Sequence, residues 1–129
     1  MPVLLVYGIP NEVATKEQGQ LNLLRLYLRR TVADIPEFHV KEHEVSVFFP
    51  SDQCQVGLGG EIICFVGRLS VLPKVTKEVK QGLADEIAFI LRGRSRSIKG
   101  LKHCKRFEAF VEEIDPVDSA SAVALADPL

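Results

Sequence analysis

The order of hydrophobic periods along the chain limits its fold more than any other feature: strand, helix, strand, then strand, helix, strand, in two halves of similar length. Val3 to Ile9 is an apolar run of β-formers closed by the turn Gly8-Ile9-Pro10-Asn11, and it reads as a buried first strand. Pro2 can lead that strand, because the ladder N–H that proline lacks is dispensable at a strand's first residue. Thr15 with Gln18 three residues on makes a capping box and predicts a helix start there. Leu21, Leu24, Leu28 and Val32 then recur at helical spacing, with Leu23 and Tyr27 widening the stripe, until Pro36 ends the helix. From His39 to Phe49, Val45, Val47 and Phe49 alternate with Glu44, Ser46 and Phe48, a second strand.

The second half repeats the plan. After turn chemistry from Pro50 to Gly60, Glu61 to Leu69 is a buried strand. Thr76 offers an N-cap to a helix whose stripe is Val79, Leu83, Ile87, Ile90 and Leu91, with Gly93 as its stop. The last strand, Lys105 to Ile114, sets Phe107, Ala109 and Val111 against Arg106, Glu108, Phe110 and Glu112. Val3 to Pro10 and Ile62 to Pro73 both pass from an apolar strand through a glycine and a proline into a Thr-capped helix, which points to an old duplication. Right-handed crossovers give an α/β (α+β) fold, a four-stranded sheet with two helices on one face. The other face is also apolar, and neighbouring subunits are its expected cover.

With 129 residues the chain suffices for one domain, taken as 1–116 with halves of about 2–50 and 60–116, followed by a tail at 117–129. A formal charge of −1 gives no global attraction to nucleic acid or an acidic membrane. The apolar runs are strand-sized, so no membrane partner is expected, and the start lacks a charged n-region and a cleavage site, which predicts a cytoplasmic protein. Cys54, Cys64 and Cys104 fit neither a disulfide framework nor a metal knuckle and read as free thiols, Cys64 as a small core residue. Cys104 and His103 would point to opposite faces of a strand, which argues against a nucleophile pair. Neither metal nor cofactor is expected.

Arg92, Arg94, Arg96, Lys99, Lys102, Lys105 and Arg106 form a basic stretch, and a four-stranded sheet of this kind also recognises RNA. The base-stacking aromatic pairs are missing, since Tyr7 is alone on the first strand and Phe65 on the third, so nucleic acid is not the expected partner. Glu112, Glu113, Asp115 and Asp118 are potential partners for the basic loop, within a subunit or across an interface.

Met1-Pro2 opening into a strand, the doubled β-α-β units, Gly57-Leu58-Gly59-Gly60 before the third strand, and Phe110-Val111-Glu112-Glu113 in the last together resemble the tautomerase superfamily over about residues 2 to 116. The likeness is to its longer members, the cis-3-chloroacrylic acid dehalogenase and malonate semialdehyde decarboxylase groups, which carry in one chain what 4-oxalocrotonate tautomerase assembles from short chains. The resemblance implies a homotrimer without cofactor, acting on a small 2-oxo or enol carboxylate. It also implies that Pro2, exposed by loss of Met1, is the general base. A secondary amine in a dry pocket beside cations has a pKa lowered toward neutrality and can accept a carbon-bound proton.

The same resemblance makes Arg68 a catalytic candidate and Arg30 (or Arg29), Lys74 and Phe110 candidates for substrate binding, the cations for carboxylate and enolate charge. Two departures are visible. Ser46 falls about where short tautomerases place a strand arginine, and the last strand has no tyrosine. Asp118, Ser119 and Ser121 offer no match to a water-activating group, so tautomerisation is preferred to dehalogenation, with a dehalogenase-, decarboxylase- or hydratase-type reaction of the same superfamily as an alternative. A trimeric binding protein that has lost the chemistry is the alternative of another class.

Overall fold

A computed structural model describes residues 2–50, 60–69 and 74–114. Met1, Cys54, the glycines at 57 and 59, Pro73 and the segment 115–129 lie outside the described residues. Strand β1 (Val3–Tyr7) is followed by a short helix α1 (Asn11–Lys16) and a long one, α2 (Gln18–Ala33). Two 3₁₀ turns at Pro36–Phe38 and Glu42–Glu44 lead into β2 (Ser46–Phe48). Strand β3 (Glu61–Leu69), helix α3 (Lys77–Ser95) and β4 (Arg106–Ile114) complete the order.

The sheet runs β2-β1-β3-β4, with β1 parallel to β2, β3 parallel to β4, and the two central strands antiparallel. Each parallel pair is spanned by a long helix, as a parallel pair requires. The even positions of β1 and β3 carry the core: Leu4, Val6, Ile62, Cys64 and Val66 are buried against Leu24, Leu28 and Val32 of α2 and Leu83, Ile87 and Leu91 of α3. Burying each such side chain contributes about 1.5–3 kcal/mol. Phe107, Ala109 and Val111 of β4 pack on the same side.

Local chemistry shifts several boundaries from their expected places. Thr15 does not cap; it lies inside α1, its hydroxyl donating to the Asn11 carbonyl at 2.9 Å, and the break falls at Glu17 (φ −116°, ψ 36°). Helix formation begins earlier because Pro10, extended at φ −62°, ψ 149°, is a ready N-cap conformation. Leu23 and Tyr27 are exposed, outside the stripe, and Tyr27 instead takes the Arg94 guanidinium 4.9 Å above its ring. The second strand shrinks to three residues since the 3₁₀ turn at Glu42–Glu44 occupies part of its expected first half, although Val45 and Val47 are still buried.

Thr76 does cap α3, accepting the Val79 N–H at 3.3 Å, but Gly93 does not stop it. Nothing lies within 4 Å of a Cβ added at Gly93, and the helix keeps its hydrogen bonds through to Ser95. Gly8, by contrast, has no substitute: φ is +102° and an added Cβ would sit 2.2 Å from the Glu61 carbonyl oxygen.

The odd positions of β1 and β3 and the even positions of β2 and β4 form the face without helices. Register places Phe48, Leu5, Phe65 and Phe110 in one row across all four strands. Phe65 and Phe110 stack at 5.3 Å between centroids, and Tyr7 meets Phe65 edge-on at 5.8 Å. Phe48, Phe65 and Phe110 remain 53, 44 and 48% exposed, a contiguous aromatic surface of the kind that marks an interface.

Candidate functional site

Strand directions decide which groups meet near Pro2. The end of the sheet where β1 starts is also where β2 starts, where β3 and β4 finish, where α2 ends and where α3 begins. Pro2 is buried there, and its carbonyl accepts the Ser46 N–H at 3.1 Å, which starts the parallel β1–β2 ladder. The antiparallel register ends at Val3 opposite Gly67, so the next positions outward on the helix-covered face are Pro2 and Arg68.

Arg68 is enclosed. Its side chain is 4% exposed and that of Glu113, its register partner on β4, is 5% exposed. The Arg68 Nε lies 3.5 Å from Glu113 Oε2, its Nη1 donates to the Phe38 carbonyl at 3.2 Å, and the guanidinium lies 4.6 Å from the centre of the Phe38 ring. Glu113 Oε1 accepts the Val75 N–H at 3.0 Å and stands 4.0 Å from Lys80 Nζ, while Oε2 accepts no hydrogen bond among the described residues. Two cations thus share one carboxylate, which leaves a net positive charge in a poorly solvated place at the head of β1.

The other candidates are arranged differently. Arg30 is exposed near the end of α2 and pairs with Glu42 of the second 3₁₀ turn at 3.5 Å. Arg29, its alternative, is half-buried, and its Nε is without a hydrogen-bond partner among the described residues. Lys74 is exposed just before α3. Phe110 is on the opposite, uncovered face, stacked on Phe65, so it does not share the enclosure of Pro2 and Arg68 within one subunit.

Sequence reasoning missed Glu113 and Lys80. Glu113 pairs with Arg68 and Lys80 at one end of the sheet rather than with the basic loop at the other. The signal was available: Glu113 continues the inward parity of Phe107, Ala109 and Val111, and a carboxylate on a core stripe must find a buried partner. His103 and Cys104 lie 4.0 Å apart, but burial raises the thiol pKa of Cys104, the reverse of what a nucleophile needs. Cys64 is a core residue as expected, its thiol pushed up to about 12 by burial. Among the described residues no group of His, Cys, Asp and Glu has the arrangement of a metal site, and no helix is long and apolar enough to cross a membrane.

Comparison with solved structures gives the same architecture over nearly the whole chain. Two matching chains are titled as the F6 and R7 fused 4-OT wild-type asymmetric trimers. Each has a TM-score of 0.53 and 12% sequence identity, covering 92% of this chain and 91% of its own. This chain has the fold of a fused 4-OT subunit. At that identity the likeness is one of fold alone. No family model matches the sequence, and no curated protein does. The fused 4-OT fold accounts for the doubled β-α-β plan and for a sheet with helices on only one side.

Proposed function

We propose that the protein is a tautomerase-type isomerase in which Pro2, made N-terminal by removal of Met1, is the general base toward a small 2-oxo or enol carboxylate. The observation that carries this reading is the burial of Pro2 at the head of β1, at the ladder position beside Arg68. Once its peptide bond to Met1 is gone, the proline nitrogen is a secondary amine. Arg68 and Lys80, grouped with Glu113 at this end of the sheet, are the cations whose field would act on that amine. It takes a proton from carbon beside the carbonyl and returns it to another atom of the conjugated system. The substrate's composition is unchanged and no electron acceptor is needed.

Arg68, held by Glu113 and the Phe38 carbonyl, then acts on the developing enolate as a fixed positive charge. Arg30, which pairs with Glu42, and Lys74 are exposed at the same end of the sheet and are the candidate ligands of a substrate carboxylate. The same reading includes a homotrimer that closes over the aromatic face of the sheet. Phe110 would then belong to a pocket wall only through a neighbouring subunit.

The test is ketonisation of phenylenolpyruvate or 2-hydroxymuconate by protein whose intact mass shows Met1 removed. Pro2→Ala is expected to lower kcat/KM by about 10²–10⁴-fold, the usual contribution of a positioned acid–base group. Full activity in that variant, or activity in protein that retains Met1, would overturn the proline mechanism. A second reading, a trimeric binding protein without catalysis, is favoured by the engagement of Arg68 with Glu113 and the Phe38 carbonyl; it predicts no turnover with either probe.

A further inference from the structure

The sheet has an internal two-fold relation, visible in its backbone bonds. Val3 pairs with Ser46 and the Ser46 N–H donates to the Pro2 carbonyl; in the second half Glu61 pairs with Arg106, and the N–H groups of Lys105 and Arg106 donate to the Gly60 carbonyl at 2.9 and 3.3 Å. Gly60 therefore occupies in the second half the place of Pro2 in the first. Since β1 and β3 are antiparallel, the two places lie at opposite ends of the sheet, roughly 25 Å apart at 3.3 Å per residue.

At the Gly60 end, the last turn of α3 and the loop that follows enclose a cleft of about 270 Å³. Arg92, Arg96, Lys102 and Lys105 line it around buried Ser95, with no acidic residue in its lining among the described residues. An adjoining cleft of about 490 Å³ shares Arg92, Lys105 and Phe107 and adds exposed Phe89, Arg106, which pairs with Glu61 and Glu108, and one carboxylate, Asp85. None of the four cations has a carboxylate within ion-pair distance among the described residues. Complementing a helix C-terminus cannot explain this concentration. The macrodipole amounts to about half a charge, and Arg92 and Arg94 in the last turn already answer it, whereas Arg96, Lys102 and Lys105 lie beyond the helix.

We propose that this cleft binds a phosphate-bearing small molecule, at a site separate from Pro2. Four cations exceed what a monocarboxylate can neutralise, and they suit the several oxygens of one or two phosphoryl groups. Arg92 and Arg96 lie four residues apart, so their planar forks fall on the same side of the chain, and each can hold two oxygens of such a group. The site rests on charge and cavity alone and stands whether or not Pro2 is catalytic.

The experiment titrates the intact protein with inorganic phosphate, pyrophosphate and malonate by calorimetry, at ionic strength held constant with chloride. Pyrophosphate should saturate one site per chain and bind at least tenfold more tightly than malonate. Arg96→Ala and Lys102→Ala, both at exposed positions that leave the fold intact, should each weaken it about tenfold, the usual effect of losing a charge-assisted hydrogen bond. Lys77→Ala, at the far end of α3, should leave it unchanged. Non-saturable binding, equal affinity for malonate, or wild-type affinity in both cleft variants would overturn the proposal. Displacement of pyrophosphate by a single-stranded RNA that needs the same residues would overturn it too, in favour of a nucleic-acid surface.

Discussion

Removing one partner of the Arg68–Glu113 pair should be among the most damaging changes available to this fold. With both side chains at least 95% buried and Nε to Oε2 at 3.5 Å, the Coulomb attraction is about 5 kcal/mol at an effective dielectric constant near 20. Much of that repays desolvation, so the pair adds little net stability, but a survivor left alone keeps its desolvation cost. Arg68→Met takes from Glu113 its buried guanidinium, leaving Lys80 at 4.0 Å and the Val75 N–H among its contacts, and should cost about 3–5 kcal/mol. Glu113→Gln keeps the shape and the acceptor for Val75 but strands the guanidinium, and should cost a similar amount. The double variant Arg68→Met/Glu113→Gln should lose clearly less than the sum of the singles, because no charge of the pair is left uncompensated. Urea unfolding followed by far-UV circular dichroism, at pH 7 and one fixed protein concentration, measures all four proteins. Single variants within about 1 kcal/mol of wild type, or a double variant that simply adds the singles, would refute the view that these two residues exist in the fold for each other.

The remaining expectations follow from the uncovered face and from the thiols. Phe65→Asp, placed in the centre of the aromatic row, should convert the assembly to monomers in sedimentation or light scattering while leaving the helical signal in place; an unchanged mass would remove this face as the interface. Burial raises the Cys64 pKa from 9.0 to about 12, so ionisation favours the unfolded chain: stability is full below pH 9 and lost as pH rises toward 12. The loss attributable to this thiol, on the order of 4 kcal/mol when complete, should be missing in Cys64→Ala when the two alkaline denaturation curves are compared. At pH 8 a thiol reagent should label native Cys104 before Cys64; early loss of Cys64 would contradict its enclosure.

What the sequence made legible was periodicity. Alternation in β4 and the α3 stripe located both elements within two residues, because each buries one face against a core that tolerates no slip of register. It failed where structure depends on short-range competition. Thr15 and Gln18 have the letters of a capping box, but a proline already extended at residue 10 starts the helix sooner, and the threonine hydroxyl turns back to Asn11. The segment 39–49 alternates well enough for a long strand, yet the left-handed His39 and the 3₁₀ turn at Glu42–Glu44 take its first half before the Ser46 N–H reaches the Pro2 carbonyl.

The candidate site was less readable for a physical reason. A resemblance assigns Arg68 by position along the chain, whereas its chemistry is set by what faces it across the sheet, and Glu113 arrives there only through the β3–β4 register, 45 residues later. An arginine opposite an inward-facing glutamate is a fixed charge rather than an open ligand. On the proposed reading, a carboxylate substrate near Pro2 draws its contacts from the surface cations of the same end, Arg30 and Lys74, rather than from Arg68. Joint substitution of Arg30 and Lys74 should then raise KM by about tenfold or more with kcat little changed, while Arg68→Met should lower kcat. The reverse split would place Arg68 at the substrate and the surface pair in the scaffold.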